Sequence, residues 1–362
     1  MKKFAFIFHP LDLGYIHRQF PWTRVLPDSA LKAALRALPP GVISRITGIG
    51  SARAEAEGWF INVPLTADQM LSLPEEIVIK KIVRAGRLAE QLGAQVLGLG
   101  AFTAIVGDAG TEVAKQLHIP VTTGNSYTVG MALAGIRLAA KKMCIDLKKA
   151  EVLVVGANGA IGSACSRILA REVNYLTVAS RNDRRLEGLA RRILRESGLA
   201  VRIAADLKSA LTQADIVISV TGSATPVIEP QDLKPGAVVC DVARPRDVSQ
   251  EVAKARPDVL VIEGGVVRVP GAVDFGFDFG FPPGTSYACM AETMILALEG
   301  RQDSFTLGRN LSVEQIDEIM QLGNKHGFEL AGLRSFDRAV RENEIKAIRK
   351  QAEFSGSSRR FS

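Results

Sequence analysis

Two stretches of this chain combine residue types and spacings that can do chemistry. The first is Val152-Leu153-Val154-Val155-Gly156-Ala157-Asn158-Gly159-Ala160-Ile161-Gly162, an apolar run followed by glycines at every third position. A helical pattern, Ser163 to Leu169, comes next. Strand, glycine turn and helix in this order let the backbone approach a pyrophosphate closely, and the helix N-terminus offers its N–H groups to the anion. The spacing is G-x-x-G-x-x-G rather than G-x-G-x-x-G, so the flanking strand and helix carry this reading more than the glycines do. The alternative is a glycine turn in some other α/β fold. The next strand, Leu176–Ala179, ends in Ser180-Arg181-Asn182 with no Asp or Glu. An acidic residue there would hold the ribose of NAD; Ser180, Arg181 and Arg184 instead suit the 2′-phosphate of NADPH. Thr221 and Gly222 close a later strand and border the nicotinamide end of such a site.

The second stretch is Ser286-Tyr287-Ala288-Cys289-Met290-Ala291-Glu292-Thr293-Met294, preceded by Pro282-Pro283-Gly284-Thr285. Cys289 falls in the first turn of a predicted helix, where the positive end of the helix dipole favours thiolate. Spacing alone leaves it open between a reactive thiol and a buried structural one. Cys165 has a similar address after the glycine loop and reads as structural. With Cys144 and Cys240 there is no C-x-x-C pair, so neither a zinc site nor a redox couple is indicated.

These residues need a scaffold. At 362 residues, with 47% hydrophobic and 23% charged residues, the chain suits a soluble globular protein of two domains. No run approaches the roughly 18 apolar residues of a membrane span, and Met1–Pro10 reads as a first strand rather than a signal peptide, so a cytoplasmic location follows. The formal charge of +7 is concentrated in 181–195 and at Arg359-Arg360. No nucleic-acid motif accompanies it, so it is either a solvated helix face or a surface steering an acidic partner or anionic cofactor.

Strands are expected at 4–8, 95–99 and 121–123, and helices at 75–92 and 111–117. A longer helix, capped by Ser126, should reach Lys142. Six strands between 152 and 262 predict a doubly wound, Rossmann-type sheet. Helices follow at 286–298 and, after Ser312, at 313–326. The expected class is therefore α/β. Residues 1–145 form an α/β substrate domain and 146–268 a Rossmann NADP-binding domain. Residues 269–350 form a C-terminal helical segment packing back on the substrate domain, and 351–362 a flexible tail.

The chain resembles the long-chain acyl-[acyl-carrier-protein] reductases, the aldehyde-forming enzymes, and their bacterial relatives. The matching stretches are Gly100-Ala101-Phe102-Thr103-Ala104-Ile105, Thr122-Thr123-Gly124-Asn125-Ser126-Tyr127-Thr128, the strand and glycine loop through Ala164, Glu263-Gly264-Gly265-Val266-Val267, Ala288-Cys289-Met290-Ala291-Glu292, Gly308-Arg309-Asn310 and His326-Gly327-Phe328. The first 70 residues match only loosely, and the segment Asp274–Phe281 departs from the family pattern. The resemblance implies that Cys289 is a nucleophile acylated by a fatty acyl thioester of acyl carrier protein or coenzyme A, and that NADPH reduces the acyl-enzyme to aldehyde. Asn125 or Thr123 is then a candidate oxyanion donor, His9 and His326 are candidate proton carriers, and Phe275, Phe277, Phe279 and Phe281 could line an acyl channel. The rival expectations are an amino-acid or shikimate-like dehydrogenase, which would use a Lys–Asp pair with Lys80 or Lys81 as the lysine, and a non-catalytic NADPH- or acyl-binding regulator.

Overall fold

The computed structural model describes residues 1–223 and 225–358. They divide into two compact units, Met1–Tyr127 with Val267–Glu329, and Thr128–Val266 with the chain from Leu330 onward.

The first unit is built on a six-stranded sheet in the order Gly271–Asp274, Gly41–Gly50, Glu55–Asn62, Lys2–Phe8, Leu97–Leu99, Val121–Thr122. Lys2–Phe8 pairs in parallel with Glu55–Asn62 and with Leu97–Leu99, which pairs in parallel with Val121–Thr122; Gly41–Gly50 runs antiparallel to Glu55–Asn62. Helix Glu75–Gln91 covers one face, turning Val78, Ile82, Ala85 and Ala89 into a core with Ile7, Ile61, Leu97 and Leu99. Helix Ala288–Glu299 is buried almost all round, as an apolar sequence on every face requires. It lies directly on the sheet at Gly98, where a Cβ would fall 2.1 Å from the Thr293 hydroxyl.

The second unit carries a six-stranded, wholly parallel sheet in the order Leu260–Glu263, Val238–Asp241, Ile216–Ser219, Glu151–Val155, Tyr175–Ala179, Arg202–Ile203. Numbered along the chain this is 6-5-4-1-2-3, the Rossmann order. Its topological switch point lies between Glu151–Val155 and Ile216–Ser219, where open α/β sheets bind ligands. The expected α/β class and doubly wound nucleotide-binding sheet are thus present.

Two expectations differ from the structure. Helix Asn125–Met143 begins one residue before Ser126, so Ser126 is not its cap. The C-terminal segment expected over 269–350 does not act as one piece. Residues from 330 onward group with the second unit: Phe336 packs against its core, and Arg246 pairs with Asp337 at 2.6 Å. Helix Glu342–Ser358 occupies most of the stretch expected as a flexible tail, and 359–362 lie outside the described residues.

Candidate active site

Cys289 is the second residue of helix Ala288–Glu299 and is half-buried. The helix is entered through Tyr287, whose side chain makes no capping hydrogen bond. Against this first turn lies the end of strand Val121–Thr122. Gly124 has φ +73°, and a Cβ on it would sit 2.3 Å from the Cys289 Cα and 2.4 Å from its Cβ. Only glycine fits here, on both backbone and contact grounds. Helix Asn125–Met143 starts at the next residue, so two helix N-termini meet beside the thiol, and both bring positive dipole ends to it.

The joint between them is Glu292, a residue the sequence reading quoted but gave no role. It is three positions beyond Cys289 and 0% exposed. Its carboxylate accepts from the Thr122 hydroxyl and, at 2.7 Å, from the Tyr127 N–H in the first turn of the second helix. Burial raises its pKa, while these donors pull it back. Glu292, not Ser126, therefore caps the helix starting at Asn125. A signal was available: a lone carboxylate within Ala288–Leu298, an otherwise uncharged helix, must find donors once buried.

Asn125 heads its helix, half-buried, one residue from the Gly124–Cys289 contact. Thr123 is buried and donates its hydroxyl proton to the Thr306 carbonyl at 3.1 Å. A hydroxyl has one proton to give, and in this structure the Thr306 carbonyl takes that of Thr123. The two histidines named as proton-carrier candidates are both hydrogen-bonded to protein groups. His9 accepts the Phe102 N–H at Nε2 (3.1 Å) and faces the Pro10 carbonyl with Nδ1 (2.9 Å); burial pushes its pKa down to about 4. His326 is held between the Ser51 hydroxyl at 2.9 Å and Glu299 at 2.5 Å. Lys81 donates to the carbonyls of Leu35 (2.9 Å) and Arg36 (2.7 Å), closing a helix end rather than facing an aspartate.

The aromatic segment expected as an acyl lining forms a continuous stack. Phe277 stacks on Phe8 at 5.5 Å, Phe60 meets Phe275, Phe277 and Phe279, Phe281 meets Phe279 at 5.7 Å, and Phe281 contacts Tyr287 at 4.5 Å. The rings thus lead to a residue two positions before Cys289.

In the second unit, the glycine loop adopts the geometry a dinucleotide needs. Gly156 has φ +83°, and a Cβ on it would strike the Val220 carbonyl at 2.3 Å; one on Gly162 would strike the Gly156 carbonyl at 2.4 Å. The first glycine makes the tight turn and the third brings helix Ala160–Leu169 onto the strand. Gly159 opens that helix with no side-chain cap, which leaves the N-terminus to an anion. Ala157 is buried, its N–H tied to the Ala179 carbonyl at 3.1 Å, while Ala160 and Ile161 form the half-buried first turn. Asn158 donates to the Asn182 carbonyl at 2.8 Å, fastening the loop to the Ser180–Asn182 strand end, where Arg181 is exposed. A cavity of about 280 Å³ flanks the loop and is lined by Asn158, Ser163, Arg185 and Arg192 among others, so Arg185 rather than Arg184 faces it. Thr221 directs its hydroxyl (2.5 Å) and N–H (2.8 Å) to the buried Asp247, which leaves Gly222 as the exposed lip. These residues fit a dinucleotide. Among the described residues, no His, Cys, Asp and Glu cluster could hold a metal ion, and no helix is long and apolar enough to cross a membrane.

Comparison with known proteins agrees with this geometry. The family model described as shikimate/quinate 5-dehydrogenase matches residues 137–262. The chain is 31% identical to aminotransferase PigE of Serratia sp., over 95% of this chain and 41% of that protein. It is 28% identical to the long-chain acyl-[acyl-carrier-protein] reductase of Synechococcus elongatus, over 80% of this chain and 87% of that protein. It is 29% identical to glutamyl-tRNA reductase of Actinobacillus succinogenes, over 51% of this chain and 45% of that protein. The chain thus spans about two-fifths of the Serratia relative's length. The dehydrogenase match covers the glycine loop and most of the parallel sheet. The second unit is an NAD(P)-binding fold of the dehydrogenase type, and its cofactor is a nicotinamide dinucleotide.

Proposed function

We propose that this protein is an NADPH-dependent reductase of fatty acyl thioesters that forms aldehyde through an acyl-enzyme on Cys289. The observation that carries the proposal is the convergence of two helix N-termini on a half-buried cysteine, in a chain that also has a dinucleotide-binding unit. An amino-acid or shikimate-like dehydrogenase, which would use a Lys–Asp pair, does not need an acylated thiol at Cys289. The shikimate-type match supports that rival only over the nucleotide unit, and Lys81 is committed to carbonyl groups.

The Cys289 sulfur attacks the carbonyl carbon of the acyl thioester. The C–S bond to the carrier, acyl carrier protein or coenzyme A, then breaks, and the carrier leaves as a thiol with the proton Cys289 gives up. Oxyanion charge in this step is received by first-turn N–H groups of the Cys289 helix and by the Asn125 amide, which Gly124 holds close. Glu292 fixes the Asn125 turn against the cysteine helix. The aromatic stack running to Tyr287 offers the acyl chain an apolar path. NADPH supplies the hydride that reduces the acyl carbon. Gly156, Gly159 and Gly162 would hold its pyrophosphate, and Ser180 and Arg181, with Arg185 beside them, its 2′-phosphate. The oxyanion donors serve again as Cys289 releases the aldehyde and recovers its proton.

The test is a product assay with NADPH and long-chain acyl thioesters of both carriers. Aldehyde from the wild type and none from Cys289→Ala, which still binds NADPH, supports the proposal. No aldehyde from the wild type, or aldehyde from Cys289→Ala, rejects it.

A further inference from the structure

We propose that Asp247 is the positioning residue for the nicotinamide half of the cofactor site, holding both ends of the loop that leaves Thr221 and returns at Val227. Asp247 is fully buried and follows strand Val238–Asp241 in the second unit. One carboxylate oxygen accepts from the Ser219 hydroxyl at 2.7 Å and the Thr221 N–H at 2.8 Å, and the other accepts from the Thr221 hydroxyl at 2.5 Å. The Asp247 backbone carbonyl accepts from the N–H groups of Val227 at 2.8 Å and Ile228 at 3.0 Å. The side chain thus ties down the outgoing end of the loop and the main chain its return. The anchor is itself fixed, because the next residue, Val248, donates its N–H to the buried Asp241 at 3.0 Å. A buried carboxylate is costly unless donors satisfy it. Here Thr221 supplies both a backbone and a side-chain donor, so that residue is immobilised twice over.

The loop so held forms one wall of the cofactor crevice. Thr221 follows strand Ile216–Ser219, at the switch point of the parallel sheet. A Cβ on Gly156 would fall 2.3 Å from the Val220 carbonyl and 3.2 Å from the Thr221 nitrogen, so the loop departs directly against the glycine turn. Gly222 is exposed, and a Cβ on it would meet no atom within 4 Å. The role rests on the NADPH site proposed for this unit. With the 2′-phosphate at Ser180 and Arg181, the adenosine half lies beyond the strand on one side of Glu151–Val155. With the pyrophosphate at the glycine turn, the nicotinamide half reaches the end of the strand on the other side, Ile216–Ser219. Asp247 is too deeply buried to touch the cofactor and acts through Thr221 and Gly222.

The experiment measures two ligands on the full chain. One is NADPH, followed by its nicotinamide emission. The other is adenosine 2′,5′-bisphosphate, which carries only the adenosine half, followed by calorimetry. Asp247→Asn turns an NH2 group toward donors that had faced an oxygen. It should weaken NADPH binding about tenfold, the order expected when one hydrogen bond to a charged group is lost, with the affinity for the bisphosphate unchanged. A merely structural carboxylate would move both ligands together. Thr221→Val, which leaves the carboxylate two of its donors, should show the same split to a smaller degree. It decides the matter where Asp247→Asn melts below the assay temperature. Three results overturn the proposal: equal weakening of both ligands by a variant that keeps its fold, NADPH binding as tight as the wild type's, or a wild type that binds neither ligand. Failure of the acyl thioester assay leaves these affinities untouched, because neither ligand needs a thioester.

Discussion

Replacing Glu292 by glutamine should loosen the site while leaving the fold in place. The carboxylate accepts from Thr122 on one oxygen and from the Tyr127 N–H on the other. Glutamine keeps one acceptor oxygen but points an NH2 group at donors that had faced the second. One hydrogen bond to a charged group is then lost, at about 1.5–3 kcal/mol. Relief from burying a charge offsets part of this, leaving a net cost of about 2 kcal/mol. For a unit of this size that is roughly a 4–8 °C fall in melting temperature. The effect on turnover is larger, because the Asn125 turn loses its tether to the cysteine helix, and misplacement by about 1 Å costs about 100-fold. The assay is steady-state kinetics with scanning calorimetry: kcat should fall by about this factor with the KM for NADPH unchanged. The wild-type rate should fall at acid pH as the carboxylate, whose pKa burial raises, takes up a proton; the glutamine variant should lack that limb. A variant with wild-type melting temperature and kcat refutes the claim that Glu292 positions the site.

Gly124→Ala forces a left-handed backbone on alanine, costing about 1–2 kcal/mol, and drives a methyl group into Cys289. Slower alkylation of Cys289 and a lower melting temperature are expected; an unchanged alkylation rate rules out the close approach. Burial pushes Asp241 up to about 6, with Arg244 opposing, so the folded protein holds a proton there that the unfolded chain releases near pH 4. Its contribution to stability is complete below pH 4 and is lost as pH rises through 6, by about 3 kcal/mol. Urea titrations should show Asp241→Asn gaining about that much relative to wild type between pH 4 and 7, and a constant difference contradicts this. Arg181→Ala should raise the KM for NADPH about tenfold, as loss of a charged phosphate contact implies, and leave kcat at saturation intact; an equal change toward NADH removes Arg181 from the 2′-phosphate role.

The parts of this molecule that were legible in its sequence are those whose burial is two-sided. Strands such as Val152–Val155 and Ile216–Ser219, covered on both faces, read as unbroken apolar runs, and the glycine turn after the first fixes the switch point. Ser312 announced helix Val313–His326, and its side chain accepts the Gln315 N–H at 3.0 Å. Strands Gly41–Gly50 and Glu55–Asn62 were missed. The first is largely exposed and carries glycine at both ends. The second hides its pattern behind Glu57 and Gly58, the latter required because a Cβ would press on Phe4 at 2.7 Å. At the candidate site, the position of Cys289 in a first helical turn was readable. The contact with Gly124 was not, because it joins residues far apart in the chain that only the folded sheet brings together.

The central claim, that Cys289 carries the acyl group, is tested most directly by intact-protein mass spectrometry. The protein is incubated with a long-chain acyl thioester in the absence of NADPH, and NADPH is then added. The account predicts a gain of one acyl mass, mapped to Cys289 and absent from Cys289→Ala, that disappears on adding NADPH as aldehyde forms. A wild-type protein that turns over NADPH and thioester without ever carrying the acyl mass contradicts it, as does an acyl group found on another residue.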